Sequence, residues 1–337
     1  MFSFYKLLFF STLIIGSLIA ISSYSWMSMW IGLEINLLSI IPLLSDSKNL
    51  YPSESALKYF ITQALASAVI MFSIIFSSNF NEFISQEHNM FLMMILNSGF
   101  LTKMGAAPFH SWFPEVMEGL NWPNCLIMLT WQKLAPMTLL MHNMNMTFFL
   151  SSVIVLSSVI SGILGLNQIS LRKIMAYSSI NHISWMIASM LNSSSIWLIY
   201  FLIYTIITIN IVWVFKILNI FSMKQLFSTL NYNKTTKFFF MLNFLSLGGL
   251  PPFLGFLPKW LTINNLVQNG FIIISLILII FTLVTLFFYL RVSFSSMMIC
   301  SKEIIIPLKK NKIFLISCSN FISLAGLISC TLIFNLF

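Results

Sequence analysis

Apolar runs of about twenty residues recur along the chain, separated by mostly short polar stretches. A helix crossing the bilayer needs about 20 predominantly apolar residues. By that rule the sequence predicts eleven helices, near 5–23, 25–45, 56–78, 90–118, 123–142, 147–167, 173–191, 194–216, 238–268, 270–292 and 313–336. The longer polar connections fall at 45–56, 79–89, 217–237 and 293–312, and no stretch remains for a separate soluble domain. The N-terminal apolar run has neither a small-residue cleavage site nor an Arg-rich presequence, and reads as a retained first span.

Composition agrees with this layout. Of the 337 residues, 58% are hydrophobic and 7% charged, against about 25% charged in a soluble domain. So few charges cannot cover a water-facing surface, so the expected fold class is an all-α polytopic membrane protein. The net charge of +9 would suit nucleic acid, but its placement points elsewhere. With the N-terminus on one side and the spans alternating, that side collects Lys6, Lys48, Lys58, Arg172, Lys173, Lys216, Lys224, Lys234, Lys237, Arg291, Lys302, Lys309, Lys310 and Lys312, which are 14 of the 17 basic residues. The other three, Lys103, Lys133 and Lys259, fall inside spans, and the opposite side carries Glu82 and Glu87. This is the asymmetry of the positive-inside rule, and it puts the C-terminus on the acidic side.

Two predicted spans are long and interrupted. One contains GFLTKMGAAPFHSWFPEVMEG at 99–119, the other GGLPPFLGFLPKW at 248–260. Cutting the chain into five-helix units, 5–142 and 147–292, with 313–336 as a C-terminal helix, makes each interrupted span the fourth of its unit. An odd number of helices per unit inverts the second copy. Matching broken helices in inverted repeats point to a transport path at mid-membrane, because bare backbone survives in lipid only where protein or water satisfies it. The plainer alternative is a pair of kinks that serve packing.

Titratable groups fall at the same depth. Glu34 lies midway along the second span; Lys133 is ten residues past Pro123, or ~15 Å along a helix; His182 is nine residues past Lys173. Lys103 precedes the first break and Lys259 follows the second. Each charge at the bilayer centre costs at least ~2.5–3.5 kcal/mol, and a lysine this deep cannot snorkel out. Burial disfavours a charged form and a nearby opposite charge favours it, so a lysine whose acidic partner moves can load and release a proton. The expected relay is a switching pair of Glu34 and Lys103, onward transfer by Lys133 and His182, and a gate at Lys259. The alternatives are a static Glu34–Lys103 ion pair, a core histidine bonded to a hydroxyl, and a Lys133 that neutralises helix ends. His110, Glu115 and Glu118 read as a solvated rim or a proton access point; Lys216 reads as an interfacial anchor, and His88 and His142 as loop residues.

Other chemistries lack their signatures. There is no GxGxxG, Walker lysine, paired-histidine haem pattern or cysteine cluster. Cys125, Cys300, Cys318 and Cys330 form no CxxC and have no nearby histidine. The sequons at Asn145, Asn192 and Asn233 are short chance-level matches. No nucleotide, metal or electron-carrying cofactor is expected in this chain.

Together KMGAAPFHSWFPEVMEG, WQKLAP, AYSSINHISWM and GGLPPFLGFLPKW resemble, over nearly the whole chain, the subunit 2 family of mitochondrial NADH:ubiquinone oxidoreductase, respiratory complex I. That resemblance implies an antiporter-like membrane subunit, related to Mrp-type cation/proton antiporters, with two inverted five-helix bundles. It maps the family's central glutamate and lysines onto Glu34, Lys103, Lys133 and Lys259, with His182 between them. It further implies a proton-translocating module of the mitochondrial inner membrane, with the basic side facing the matrix. Neighbouring membrane-arm subunits would be the partners, and FMN, iron–sulfur clusters and ubiquinone would sit in other subunits. Bacterial relatives carry three further helices before the first repeat, so lipid or another subunit would fill that space. A stand-alone cation/proton antiporter and a passive scaffold are the competing functions.

Overall fold

The computed structural model describes residues 4–46, 49–80, 86–230 and 234–297. Among these the chain forms fourteen α-helices and a single isolated bridge between Ser170 and Ser222. The predicted C-terminal span 313–336, the lysines at 302–312, Lys48, Glu82, and Cys300, Cys318 and Cys330 lie outside the described residues. Among the described residues six helices are long and apolar enough to cross a membrane: α1 (Phe4–Ser22), α2 (Trp26–Leu44), most of α3 (Leu50–Phe80), α8 (Thr147–Leu166), α10 (Ser194–Leu218) and most of α14 (Ile272–Met297).

The remaining helices are shorter or more polar. The predicted span 90–118 is divided into α4 (Gln86–Met104) and α5 (Trp112–Gly119), and 238–268 into α12 (Lys234–Gly248) and α13 (Phe256–Gln268). The predicted span 123–142 is also divided, into α6 (Trp122–Leu129) and α7 (Trp131–Met141), with Thr130 between them at φ −115, ψ −71. No glycine marks that division; the Thr130 hydroxyl donates to the Leu126 carbonyl instead. The polar connection 217–237 holds a further helix, α11 (Met223–Leu230), whose Met223, Leu226, Phe227 and Leu230 fall at helical spacing.

The chain clusters into two units, Met1–Val153 and Ile154–Phe337, with the division inside α8. In the first, α1 lies along α2, α2 packs on α3, and α3 packs on both α4 and α5. A Cβ at Gly32 would come within 2.5 Å of the Ala20 amide, so small residues let α1 and α2 approach backbone to backbone.

In the second unit the central element is α9 (Leu171–Met190), buried at every residue from Ile174 to Met190. It packs against α10, α13 and α14. This helix carries Ser178, Ser179, Asn181, His182 and Ser184 in its buried stretch, too polar to face lipid, and the apolar helices around it take that contact instead.

Candidate functional site

Both interrupted spans stop by the same local device. Gly105 has φ +74 and Gly249 φ +77, a region that only glycine enters without penalty. The Gly105 amide donates to the Thr102 carbonyl and the Ala106 amide to the Leu101 carbonyl; the Gly249 amide donates to Ser246 and the Leu250 amide to Leu245. These are Schellman closures, which satisfy two of the carbonyls left open at a helix C-terminus. The residues that follow correspond in register: GAAPFHSWFPE from 105 and GLPPFLGFLPK from 249 share Gly, Pro, Phe and a second Pro at equal offsets. Ala107–Pro108 and Pro251–Pro252 are both cis. At the last position of this match the first unit has Glu115 and the second has Lys259.

In the second unit Lys259 completes the stop of α12. Its Nζ donates to the Gly248 carbonyl at 2.8 Å and to the Leu247 carbonyl at 3.4 Å. Those are the two carbonyls adjoining the ones that the Schellman bonds occupy. The lysine sits in the first turns of α13 and reaches back across the break, so its charge meets the negative end of the α12 dipole. The ammonium is 5.8 Å from the centre of the Trp185 ring, and the side chain is 6% exposed. In the first unit, Trp112 makes the corresponding backward bond: its Nε1 donates to the Thr102 carbonyl at 3.1 Å.

Lys103 occupies the last turn of α4, where the C-terminal carbonyls favour a cation. It is 7% exposed, and the Glu34 carboxylate is the acidic group whose field reaches it. The two do not come within the 4.0 Å of an ion pair, so a closed Glu34–Lys103 contact is absent from this conformation. Glu34 is half-buried on α2, and its Oε1 is buried with no hydrogen-bond partner. Beside Lys103 lies a cavity of about 10 Å³ lined by Asn36, Tyr59, Gln63 and Gln132 among others, at the lower edge of what holds one water. Gln132 ties this group together: its Nε2 donates to Asn36 Oδ1 at 2.8 Å, and its Oε1 accepts from the Tyr59 hydroxyl at 3.4 Å. Gln63 Nε2 is buried without a partner.

Lys133, next to Gln132 on α7, is 1% exposed and lies 5.3 Å from the centre of the Phe113 ring. Pro136 follows three residues later; having no N–H, it leaves the Gln132 carbonyl without its usual helical donor. His182, on α9, is 4% exposed, and its Nδ1 is 2.9 Å from the Tyr200 hydroxyl. A second cavity of about 10 Å³ is lined by His182, Tyr200, Tyr204, Ser246 and Gly255 among others. The structure thus places Glu34, Lys103 and Lys133 in the first unit and His182 and Lys259 in the second.

Of the rim residues, Glu115 pairs with Lys58 on α3 at 3.2 Å, and Lys58 also pairs with Glu54. His110 and Glu118 are half-buried, and Lys216 and His142 are exposed. Among the described residues no group of three His, Cys, Asp or Glu could hold a metal ion. Asn36, Tyr59, Gln132, Trp185 and Tyr200 carry no sequence signal beyond a polar atom inside an apolar span.

Known proteins share this architecture. The transmembrane family described as NADH:quinone oxidoreductase/Mrp antiporter matches residues 23–285. A chain of respiratory complex I from Thermus thermophilus superposes with a TM-score of 0.87, covering 97% of this chain and 79% of that one at 23% identity. A chain of the Mrp complex from Dietzia does so at 0.75, covering 83% and 58% at 13% identity. At those identities the likeness is one of fold. Closer in sequence are proteins named NADH-ubiquinone oxidoreductase chain 2: that of Aedes aegypti is 49% identical and that of Anopheles gambiae 48%, each covering 97% of both chains. A match over most of the chain's length, joined to near-half identity with these two, makes it a member of the NADH:quinone oxidoreductase/Mrp antiporter family, within the group of NADH-ubiquinone oxidoreductase chain 2 proteins.

Proposed function

We propose that this chain is a proton-translocating subunit in the membrane arm of complex I, multi-pass in the mitochondrial inner membrane. NADH oxidation and quinone reduction belong to other subunits of the enzyme, and those subunits hold FMN, the iron–sulfur clusters and ubiquinone. Within the chain, the proton path runs through Glu34, Lys103, Lys133, His182 and Lys259. Residues 5–142 and 147–292 act as inverted repeats around that path, and 313–336 adds a C-terminal span. The basic loops and N-terminus face the matrix and the C-terminus faces the intermembrane space. Neighbouring antiporter-like subunits and lipid form its surroundings.

One observation carries this reading: Lys259 is buried between two half-helices with its ammonium on the Gly248 and Leu247 carbonyls. An ammonium donates there with a full charge, whereas a neutral amine donates from two weaker N–H groups and carries a lone pair, so the site holds the two protonation states differently. In the first unit, the separation of Glu34 from Lys103 supplies the variable term. As the carboxylate approaches it stabilises the ammonium, and as it recedes the proton is released. Moving one proton against 100 mV takes ~2.3 kcal/mol. A tenfold change in proton affinity supplies ~1.36 kcal/mol, so a swing of about a hundredfold at one group covers it.

The test is Lys259→Met and Lys103→Met in the assembled complex, with protons moved per NADH oxidised as the readout. The relay predicts assembled enzyme with pumping lost or uncoupled. A second reading draws on the same carbonyl bonds: Lys259 as a static cap of α12. It predicts less assembled complex and normal pumping by what assembles. A stand-alone antiporter would instead move cations when the chain is reconstituted without its neighbours.

A further inference from the structure

We propose that Trp185 is the positioning residue for Lys259: its indole face holds the ammonium against the end of α12, and the ring is there for that charge and not for its volume. The inference rests on the relay reading of Lys259.

Three sides of the lysine are defined. The Gly248 and Leu247 carbonyls take its protons at 2.8 and 3.4 Å. Gly249 clears the path of the chain: a Cβ there would lie 2.6 Å from Lys259 Cδ and 3.0 Å from Nζ. On the third side the Trp185 ring centre lies 5.8 Å from Nζ, within the ~6 Å at which a cation is drawn to the negative face of an aromatic ring. Trp185 is 1% exposed, so this attraction acts away from water.

The choice of tryptophan needs a reason. Its Nε1–H is buried and has no hydrogen-bond partner, whereas buried indoles usually find one. Phenylalanine would fill most of the space without stranding a donor. What an indole adds over a phenyl ring is the strongest face for a cation among the aromatic side chains. Trp185 also lies three residues after His182, so the two share a face of α9. One buried helix face thus carries both a proposed relay group and the ring that fixes the next one.

The experiment compares Trp185→Phe, Trp185→Met, Trp185→Leu and Lys259→Met in the assembled complex, reading protons moved per NADH and the amount assembled. Phe and Met differ little in volume but only Phe keeps a π face. Trp185→Phe is expected to pump less well than the parent but better than Trp185→Met, because a phenyl face draws a cation less strongly than an indole, and Trp185→Met roughly three- to thirtyfold less well than the parent. In a Lys259→Met background, adding Trp185→Met is expected to change nothing further. Equal pumping by the Phe and Met variants would overturn the proposal, as would failure of both Trp185→Met and Trp185→Leu to assemble, since either outcome assigns the ring a packing role. Normal pumping by Lys259→Met would overturn the relay reading itself. Loss in Lys259→Met with parental pumping in Trp185→Met would overturn this inference alone.

Discussion

His182 Nδ1 and the Tyr200 hydroxyl lie 2.9 Å apart, a bond from the centre of α9 to α10 with both residues buried. The hydroxyl either donates to Nδ1 or accepts from it, so its orientation and the imidazole tautomer are coupled. Tyr200→Phe removes that hydrogen bond from a buried ring nitrogen, at about 1–3 kcal/mol. The expected outcome is a complex that still assembles, loses activity at lower temperature, and pumps fewer protons per NADH. Thermal inactivation of the solubilised complex and pumping in vesicles check the two halves separately.

Gly249→Ala should separate positioning from backbone cost. A left-handed φ costs a non-glycine residue roughly 1–2 kcal/mol, and the new Cβ would sit 2.6 Å from Lys259 Cδ. Gly270 has φ +81 and nothing within 4 Å of its Cβ position, so Gly270→Ala pays the backbone penalty alone. Gly249→Ala is expected to lose pumping while Gly270→Ala keeps it, at similar levels of assembled complex on a native gel.

Gly255→Ala is expected to be more damaging than either. Its Cβ would collide with the Ser246 carbonyl oxygen and lie 2.8 Å from the carbonyl carbon. Backbone cannot yield as a flexible side chain does, so the start of α13 has to part from the end of α12. Little or no assembled complex should be recovered, and ordinary assembly would show that this close approach is dispensable.

Gln132→Leu strands Asn36 Oδ1 and the Tyr59 hydroxyl at once. Each buried polar atom left unsatisfied costs about 1–3 kcal/mol. Replacing both partners with apolar groups of similar shape can be nearly neutral. The double variant Asn36→Leu/Gln132→Leu is therefore expected to be less destabilised than the sum of the two single changes, measured by thermal inactivation.

Much of this was readable from the residues. The stops at Gly105 and Gly249 follow from a glycine at the end of an apolar run with a proline three residues on. The burial of Lys103, Lys133, His182 and Lys259 follows from their position in spans with too few charges to form a surface. What stayed hidden was how those groups are held. Lys259 finds backbone carbonyls, which every residue carries and no sequence pattern distinguishes. Gln132 gathers Asn36 and Tyr59 from two other helices, a meeting fixed by packing and not by spacing. The division at Thr130 carries no glycine, so nothing local announced it. Glu34 and Lys103 read as a switching pair from depth alone, and depth does not give the lateral distance between the helices that carry them.

The two Schellman stops need only a glycine and hydrogen bonds spanning six residues, so they close before any distant neighbour arrives. As the chain emerges during synthesis, each interrupted span enters the bilayer already broken, with bare carbonyls at the gap. Cover comes from both directions along the chain: α3 packs on α4 and α5, and α9 and α10 pack on α13, before α7 closes on α4 and α14 on α12 and α13. Each joint therefore meets part of its cover as it forms and is sealed only when the following helix arrives.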